Sequence, residues 1–109
     1  MHLNAYKVMW LFVFFDLPFD DKNLRRAYAQ FRTKLLKDGF KMYQFSVYMR
    51  HCPSLENCTV HENRVGTYLP SDGFISIIKI TDRQFGNIKN FYGKTISPSL
   101  KSPNQLEIF

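Results

Sequence analysis

Residues 8–21 read VMWLFVFFDLPFDD. Val8 to Phe15 is apolar at every position, and Asp16 then ends the run ahead of Leu17 and Pro18. An unbroken apolar run of this length fits a central strand covered on both faces better than a strand with one wet face. Pro18 has no amide hydrogen and cannot continue a ladder. Asp20 or Asp21 is suited to cap a helix N-terminus, because a short carboxylate accepts from the free amides of the first turn.

Outward from this strand, a helix is expected from Lys22 to Asp38. Leu24, Tyr28, Phe31 and Leu35 recur every three or four residues and form one apolar stripe, and Gly39 is a natural stop. KMYQFSVYMR, residues 41–50, reads as one further strand. A turn follows at Pro53, and Ser54 can cap a second helix running to about Tyr68. FISIIKI, residues 74–80, reads as a third strand. Thr81 with Gln84 three residues on is a capping box for a short helical turn. The stretch KTISPSLKSPNQ is linker-like, and LEIF, residues 106–109, is a short strand-like end.

This order fits the split β-α-β pattern. The fold class expected is α+β, a ferredoxin-like βαββαβ sandwich with an extra C-terminal strand. It forms a single domain over residues 1–109. In such a fold both helices cover one face of the sheet. The first and third strands are nevertheless apolar at both parities, so the other face calls for a cover. A homodimer packed sheet to sheet would supply it. The tail, residues 93–109, would carry its strand across to the partner.

The chain has 109 residues, 45% of them hydrophobic and 17% aromatic, enough for a packed core and too apolar for disorder. The net charge is +6 and the pI about 9.5, which suits an anionic partner such as nucleic acid and equally suits plain solubility. The apolar run falls well short of the roughly 20 residues that span a bilayer, and no small-residue cleavage site follows it. Two cysteines are too few for a disulfide framework. A cytoplasmic protein with reduced thiols and no membrane partner is expected.

Four constellations could carry chemistry. Asp16 stands at a strand end, a common functional position in sheet proteins. It either holds a hard cation such as Mg²⁺, which prefers carboxylate oxygens and water, or caps amides of the turn. A twofold axis would bring two such carboxylates together. On the first helix, Lys22, Arg25, Arg26 and Arg32 fall within about a third of the circumference at roughly 100° per residue. Lys34 and Lys37 extend the row. It suits phosphate contacts or is a solvated face. His51, Cys52, Cys58, His61 and Glu62 are zinc-capable residue types, but their spacing matches no paired metal pattern, and a core role for the cysteines is preferred. Gln44 and Ser46 give the second strand a polar side, and no histidine adjoins Ser46 to make it a nucleophile. Gly-rich phosphate loops are absent, as is the basic-Gly-aromatic pattern that stacks bases in RNA-recognition motifs.

Taken together, FVFFDLPFDD, LRRAYAQFRTKLLKDGF, MYQFSVYMR and ITDRQF resemble the CRISPR-associated protein two family, the small subunit of the spacer-acquisition machinery. The likeness covers about residues 8 to 90 and looks most like versions from single-effector (type II) systems. It implies a ferredoxin-like homodimer with sheets face to face and exchanged C-terminal strands. It implies that Asp16 matches the family aspartate proposed to hold a divalent metal, Mg²⁺ or Mn²⁺, for phosphodiester cleavage. It also implies a scaffold role, bridging dimers of the CRISPR-associated protein one integrase under duplex DNA. Arg25 and Arg26 match basic positions of the family, and Lys22, Arg32 and Lys37 are placed with them as nucleic-acid contacts. The dimer interface is expected at Gln44, Phe45, Ser46, Val47, Tyr48, Leu106 and Ile108. Phe15 stands where many members have tyrosine before the aspartate, and Met42 where many have a basic residue. Both remove polar groups near the implied cleavage site. The expected function is therefore the adaptation scaffold first. A metal-dependent endonuclease, including a toxin-type ribonuclease of the same fold, stands second. An unrelated ferredoxin-like binding module stands third.

Overall fold

The computed structural model describes residues 8–96. In chain order the elements are β1 (Met9–Asp16), α1 (Lys22–Lys37), β2 (Lys41–Gln44), β3 (Val47–Cys52), α2 (Leu55–Thr67), β4 (Phe74–Thr81), α3 (Asp82–Gly86), β5 (Phe91–Tyr92) and β6 (Thr95–Ile96). The main sheet has the order β2-β3-β1-β4, with each neighbouring pair antiparallel. This is the α+β, ferredoxin-like βαββαβ arrangement. β5 and β6 form a separate two-stranded ladder.

Residues 41–50 are not one strand. They fold back at Phe45-Ser46 into the β2–β3 hairpin, and the register slips between Met42 and Gln44. Ser46 takes a φ of 65°, a left-handed conformation that non-glycine residues seldom adopt. The turn carries none of the Asn-Gly or Asp-Gly signals that mark tight hairpins, so the alternation on either side reads as continuous. The break supplies the second strand of the sheet. Leu106 to Phe109, and with them the expected exchanged strand, lie outside the described residues.

The first helix ends as its residues dictate. The Asp21 side chain accepts from the Leu24 amide at 2.9 Å, and Gly39 follows Asp38 with a φ of 91°. Ser54 accepts from the Asn57 amide to open α2, and both halves of the Thr81–Gln84 capping box are formed.

β1 is the two-faced strand its composition requires. Met9, Leu11, Val13, Phe15 and, beyond the strand, Leu17 pack with Tyr28, Phe31 and Leu35 of α1 and Cys58 and Val65 of α2. Trp10 and Phe12 lie in a second cluster with Met49 and Phe85. This second face is not bare. α3 lays the Phe85 ring on Trp10, centroids 3.7 Å apart and nearly parallel, and the Trp10 indole donates to Asp82 Oδ1 at 2.8 Å. The cover stops there. Phe14, Ile78 and Phe74 further along the same face remain exposed, Phe74 at 72%.

One polar hub ties the helices to the sheet. The Asp38 side chain, 8% exposed, accepts from Arg64 Nη1 at 3.0 Å and meets His61 Nδ1 at 2.9 Å; Tyr68 donates to its other oxygen at 3.4 Å. Its backbone carbonyl accepts from Arg50 Nε on β3 at 2.8 Å. The end of α1 is thus bound to α2, β3 and the residue closing α2.

Gly73 seats the start of β4 against the end of β1. Its φ is 98°, and a Cβ there would lie 2.1 Å from Leu17 Cδ2 and 2.9 Å from the Asp16 carbonyl oxygen. Gly73→Ala is expected to destabilise the fold by about 1–3 kcal/mol, from left-handed strain and a clash with backbone. Thermal melting beside wild type checks this, and an unchanged midpoint would refute it.

Candidate nucleic-acid interface and strand-end carboxylate

Asp16 is the last residue of β1, lies opposite Phe74 in the β1–β4 ladder, and is exposed. Around it opens a hollow of about 230 Å³ lined by Phe14, Phe15, Asp16, Phe45, Ser46, Val47, Phe74 and Ser76. The hairpin turn forms one wall and is anchored to β1, since the Phe15 amide donates to the Ser46 carbonyl at 3.0 Å. The Ser46 hydroxyl bonds the Tyr28 hydroxyl at 3.2 Å.

This site offers a metal one carboxylate. Beyond Asp16, the oxygen-bearing side chains lining the hollow are the hydroxyls of Ser46 and Ser76. Among the described residues no group of three or more His, Cys, Asp or Glu is placed to hold a metal ion. Mg²⁺ demands near-octahedral oxygen coordination and keeps several waters, so a single copy does not build its site. A second carboxylate or substrate phosphates would be needed.

The basic row of α1 divides in two. Arg25 and Arg32 lean toward the hairpin side, where both are held. Arg25 Nη1 donates to the Phe19 carbonyl at 3.1 Å, and Arg32 Nε donates to the Tyr48 hydroxyl at 2.7 Å. Arg26, Lys34 and Lys37 instead line a shallow groove of about 390 Å³ with Ala29, Gln30 and Thr33. Lys22 is exposed in the first turn. All six cations are at the surface, on two adjoining edges of one helix.

The expected interface residues also separate. Gln44 and Phe45 are exposed, while Ser46 and Val47 are partly buried. Tyr48 is 1% exposed and packs in the core beneath the helices, because it alternates onto the opposite face from Val47. Its side chain is turned toward the helices, away from the face that carries Phe14 and Phe74. Leu106 and Ile108 lie outside the described residues.

Cys52, Cys58, His51 and His61 do not converge as ligands. His51 stands edge-on to Trp10, with centroids 5.0 Å apart, and burial holds its imidazole below the usual range. His61 is turned to Asp38. Both cysteines are free and buried. Burial pushes the Cys52 thiol up to about 12, with the adjacent Cys58 adding to the shift, and burial raises Cys58 also.

An aromatic group at the edge of the hollow has no counterpart in the sequence reading. Phe19 packs on Tyr28 with centroids 4.8 Å apart, and Phe45 lies over both, at 6.4 Å and 6.0 Å. Tyr28 is buried and Phe45 is 72% exposed. Read as one strand, residues 41–50 give no sign that Phe45 stands at a turn. An apolar ring at the tip of a hairpin is the signal, and it exists only once the hairpin is recognised.

A family model described as CRISPR associated protein Cas2 matches residues 9–88, from β1 through α3. The chain is 50% identical over 101 residues to a CRISPR-associated endoribonuclease Cas2 of Parvibaculum lavamentivorans, a span of 93% of this chain and 100% of that protein. It is 48% identical over 107 residues to one of Flavobacterium psychrophilum, covering 98% and 93%. It is 39% identical over 107 residues to one of Paracidovorax avenae, covering 98% and 99%.

The thiolate is the nucleophilic form of cysteine. Raised thiols therefore stay protonated, and burial blocks access. In native protein at pH 8, Cys52 and Cys58 are expected to resist iodoacetamide, with full labelling after denaturation. Rapid labelling of the native protein, read by mass spectrometry, would contradict the buried-thiol assignment.

Proposed function

We propose, on the premise that this chain belongs to the CRISPR-associated Cas2 family, that it is a CRISPR adaptation subunit. A homodimer of it bridges the CRISPR-associated protein one integrase and binds duplex DNA. The observation that carries this reading is the unfinished second face of the sheet. α3 covers Trp10, yet Phe14, Ile78 and Phe74 stay open beside it. A second copy laid on this face would bury them. Surface cations on α1 supply the matching chemistry for phosphates, through backbone contacts that carry no sequence preference.

A second reading is a metal-dependent endoribonuclease, favoured by the name that the relatives carry. It needs Mg²⁺ or Mn²⁺ at Asp16. Two copies about a twofold axis would supply the second carboxylate. The ion, when bound, would activate water and neutralise phosphate charge. Asp16 would orient it, and the hollow would seat the neighbouring nucleotide. The hollow's single carboxylate in one copy, with no group of three or more His, Cys, Asp or Glu placed to hold a metal among the described residues, favours the scaffold over this chemistry.

Two measurements test these readings. Arg25→Glu with Arg26→Glu is expected to weaken duplex binding across all sequences. The slope of log affinity against log salt should flatten by about two, near 0.9 for each phosphate no longer neutralised. Unchanged affinity in a double variant with a native circular dichroism spectrum would sink the helix assignment. Asp16→Asn is expected to bind duplex as wild type does. Metal-dependent cleavage of labelled RNA by wild type, abolished in Asp16→Asn, would instead establish the endonuclease.

A further inference from the structure

The phenol of Tyr48 is a polar group set into the core. The side chain is 1% exposed and stacks on Phe15 beneath α1, with centroids 5.6 Å apart. A buried hydroxyl needs a hydrogen-bond partner, and a phenylalanine would fill the same space without that demand. The partner here stands at the surface. Arg32 Nε donates to the Tyr48 hydroxyl at 2.7 Å, and Arg32 is exposed on α1. A short charge-assisted bond therefore runs outward from the sheet to the helix face.

The hold on Arg32 differs from that on every other cation of the helix. A guanidinium group presents its donors as a planar fork. Bonding through Nε fixes that plane and leaves the paired Nη1 and Nη2 edge free, an edge that grips a phosphate with two parallel bonds. No described carboxylate pairs with Arg32. Arg25 is held through Nη1, which donates to the Phe19 carbonyl at 3.1 Å, so its anchor draws on the fork itself. Lys22, Arg26, Lys34 and Lys37 make no side-chain hydrogen bond to another described residue. They are free to follow an anion, but each loses that freedom on binding. Arg32 has lost it already.

We propose that Tyr48 is a positioning residue for phosphate recognition: its hydroxyl, fixed by the core, orients the Arg32 fork so that α1 meets a nucleic-acid backbone with one preset bidentate contact. This rests on the reading that the chain binds duplex DNA, and it deepens that reading by separating geometry from charge. Lysine at position 32 would not serve, because an ammonium is a point charge with no second edge. Counterion release depends on how many phosphates are neutralised, not on how firmly the cations are held. Loss of the hydroxyl therefore lowers affinity at constant salt slope, whereas loss of the guanidinium lowers both.

Tyr48→Phe, Arg32→Ala, Arg32→Lys and the pair Tyr48→Phe with Arg32→Ala test it in the full-length protein against a blunt DNA duplex. Tyr48→Phe should bind about three- to tenfold more weakly than wild type, the scale for immobilising one long side chain, with the wild-type salt slope. Arg32→Ala should also bind more weakly and flatten that slope by about 0.9. Tyr48→Phe should lose nothing further in the Arg32→Ala background. Arg32→Lys keeps the core residue and the charge and should match Tyr48→Phe, so the outcome does not hang on how well the core variant folds. Wild-type affinity in Tyr48→Phe or in Arg32→Lys, or the same loss from Tyr48→Phe in both backgrounds, would overturn the positioning role and leave the nucleic-acid reading intact. The clamp itself is read by NMR on the free protein. The Arg32 Nε–H should exchange slowly with water in wild type and quickly in Tyr48→Phe, and fast exchange in wild type would overturn the proposal. A wild-type protein that binds no duplex overturns it too, together with the nucleic-acid reading.

Discussion

Everything else in the structure answers to the two-sided burial of β1. A strand apolar at every position cannot leave either face in water without exposing large rings. Hydrophobic burial scales with the apolar area removed from water, so each face recruits its own cover. The odd residues draw α1 and α2 onto one side. The even residues draw α3 onto the other, where Phe85 stacks flat on Trp10. The central place of β1 between β3 and β4 follows, since only an inner strand can be covered this way and keep both ladders paired. Asp16 ends the strand because a carboxylate belongs where cover runs out.

The position of the polar groups follows from the same constraint. With both faces of the sheet apolar, the buried charge gathers at the rim, where α1 ends. Asp38 can sit at 8% exposure because Arg64, His61 and Tyr68 all converge on it. A buried charge without such partners would be costly, whereas hydrogen bonds to charged groups contribute about 1.5–3 kcal/mol each. Tyr68 registers the crowding, its phenol held well above the ordinary value by burial and by the Asp38 carboxylate. The hub fixes the far end of α1, and Asp21 fixes the near end. The helix that presents the cations is therefore clamped at both ends.

What can be read from residues alone divides along physical lines. Periodicity in α1, the Thr81–Gln84 capping box and the apolar run of β1 are local signals, and each corresponds to the element observed. The hairpin is illegible in sequence because Ser46 holds a left-handed turn through contacts with Phe15 and Tyr28, which are distant along the chain. Val47 and Tyr48 take opposite faces by simple alternation along β3, and the ladder with β1 decides which of them meets the helices. Asp38 looks like a helix end, and nothing nearby announces partners 23 to 30 residues away. Asp16 and the cations of α1 are legible as candidates because exposed charge beside a strand end or on one helix face is a local pattern. How the cations split between two edges is not, because Arg25 and Arg32 are turned by a loop carbonyl and a core phenol.

The charge balance connects the two surfaces. Each chain carries +6, so pairing two copies through the open face, as proposed, brings together twice that charge. Like charge opposes that pairing, and the open patch of Phe14, Ile78 and Phe74 must outweigh it. On that proposal, a polyanion bound across α1 of both copies would remove the repulsion. Association of the copies and binding of nucleic acid then favour each other by the same factor in both directions, as linkage requires. Screening shortens the reach of these charges to about 8 Å at physiological salt, which relieves the repulsion between copies and weakens their hold on phosphate together. Under the proposed function, the charge that would hold a polyanion is thus the same charge that the apolar face must overcome when two copies pair.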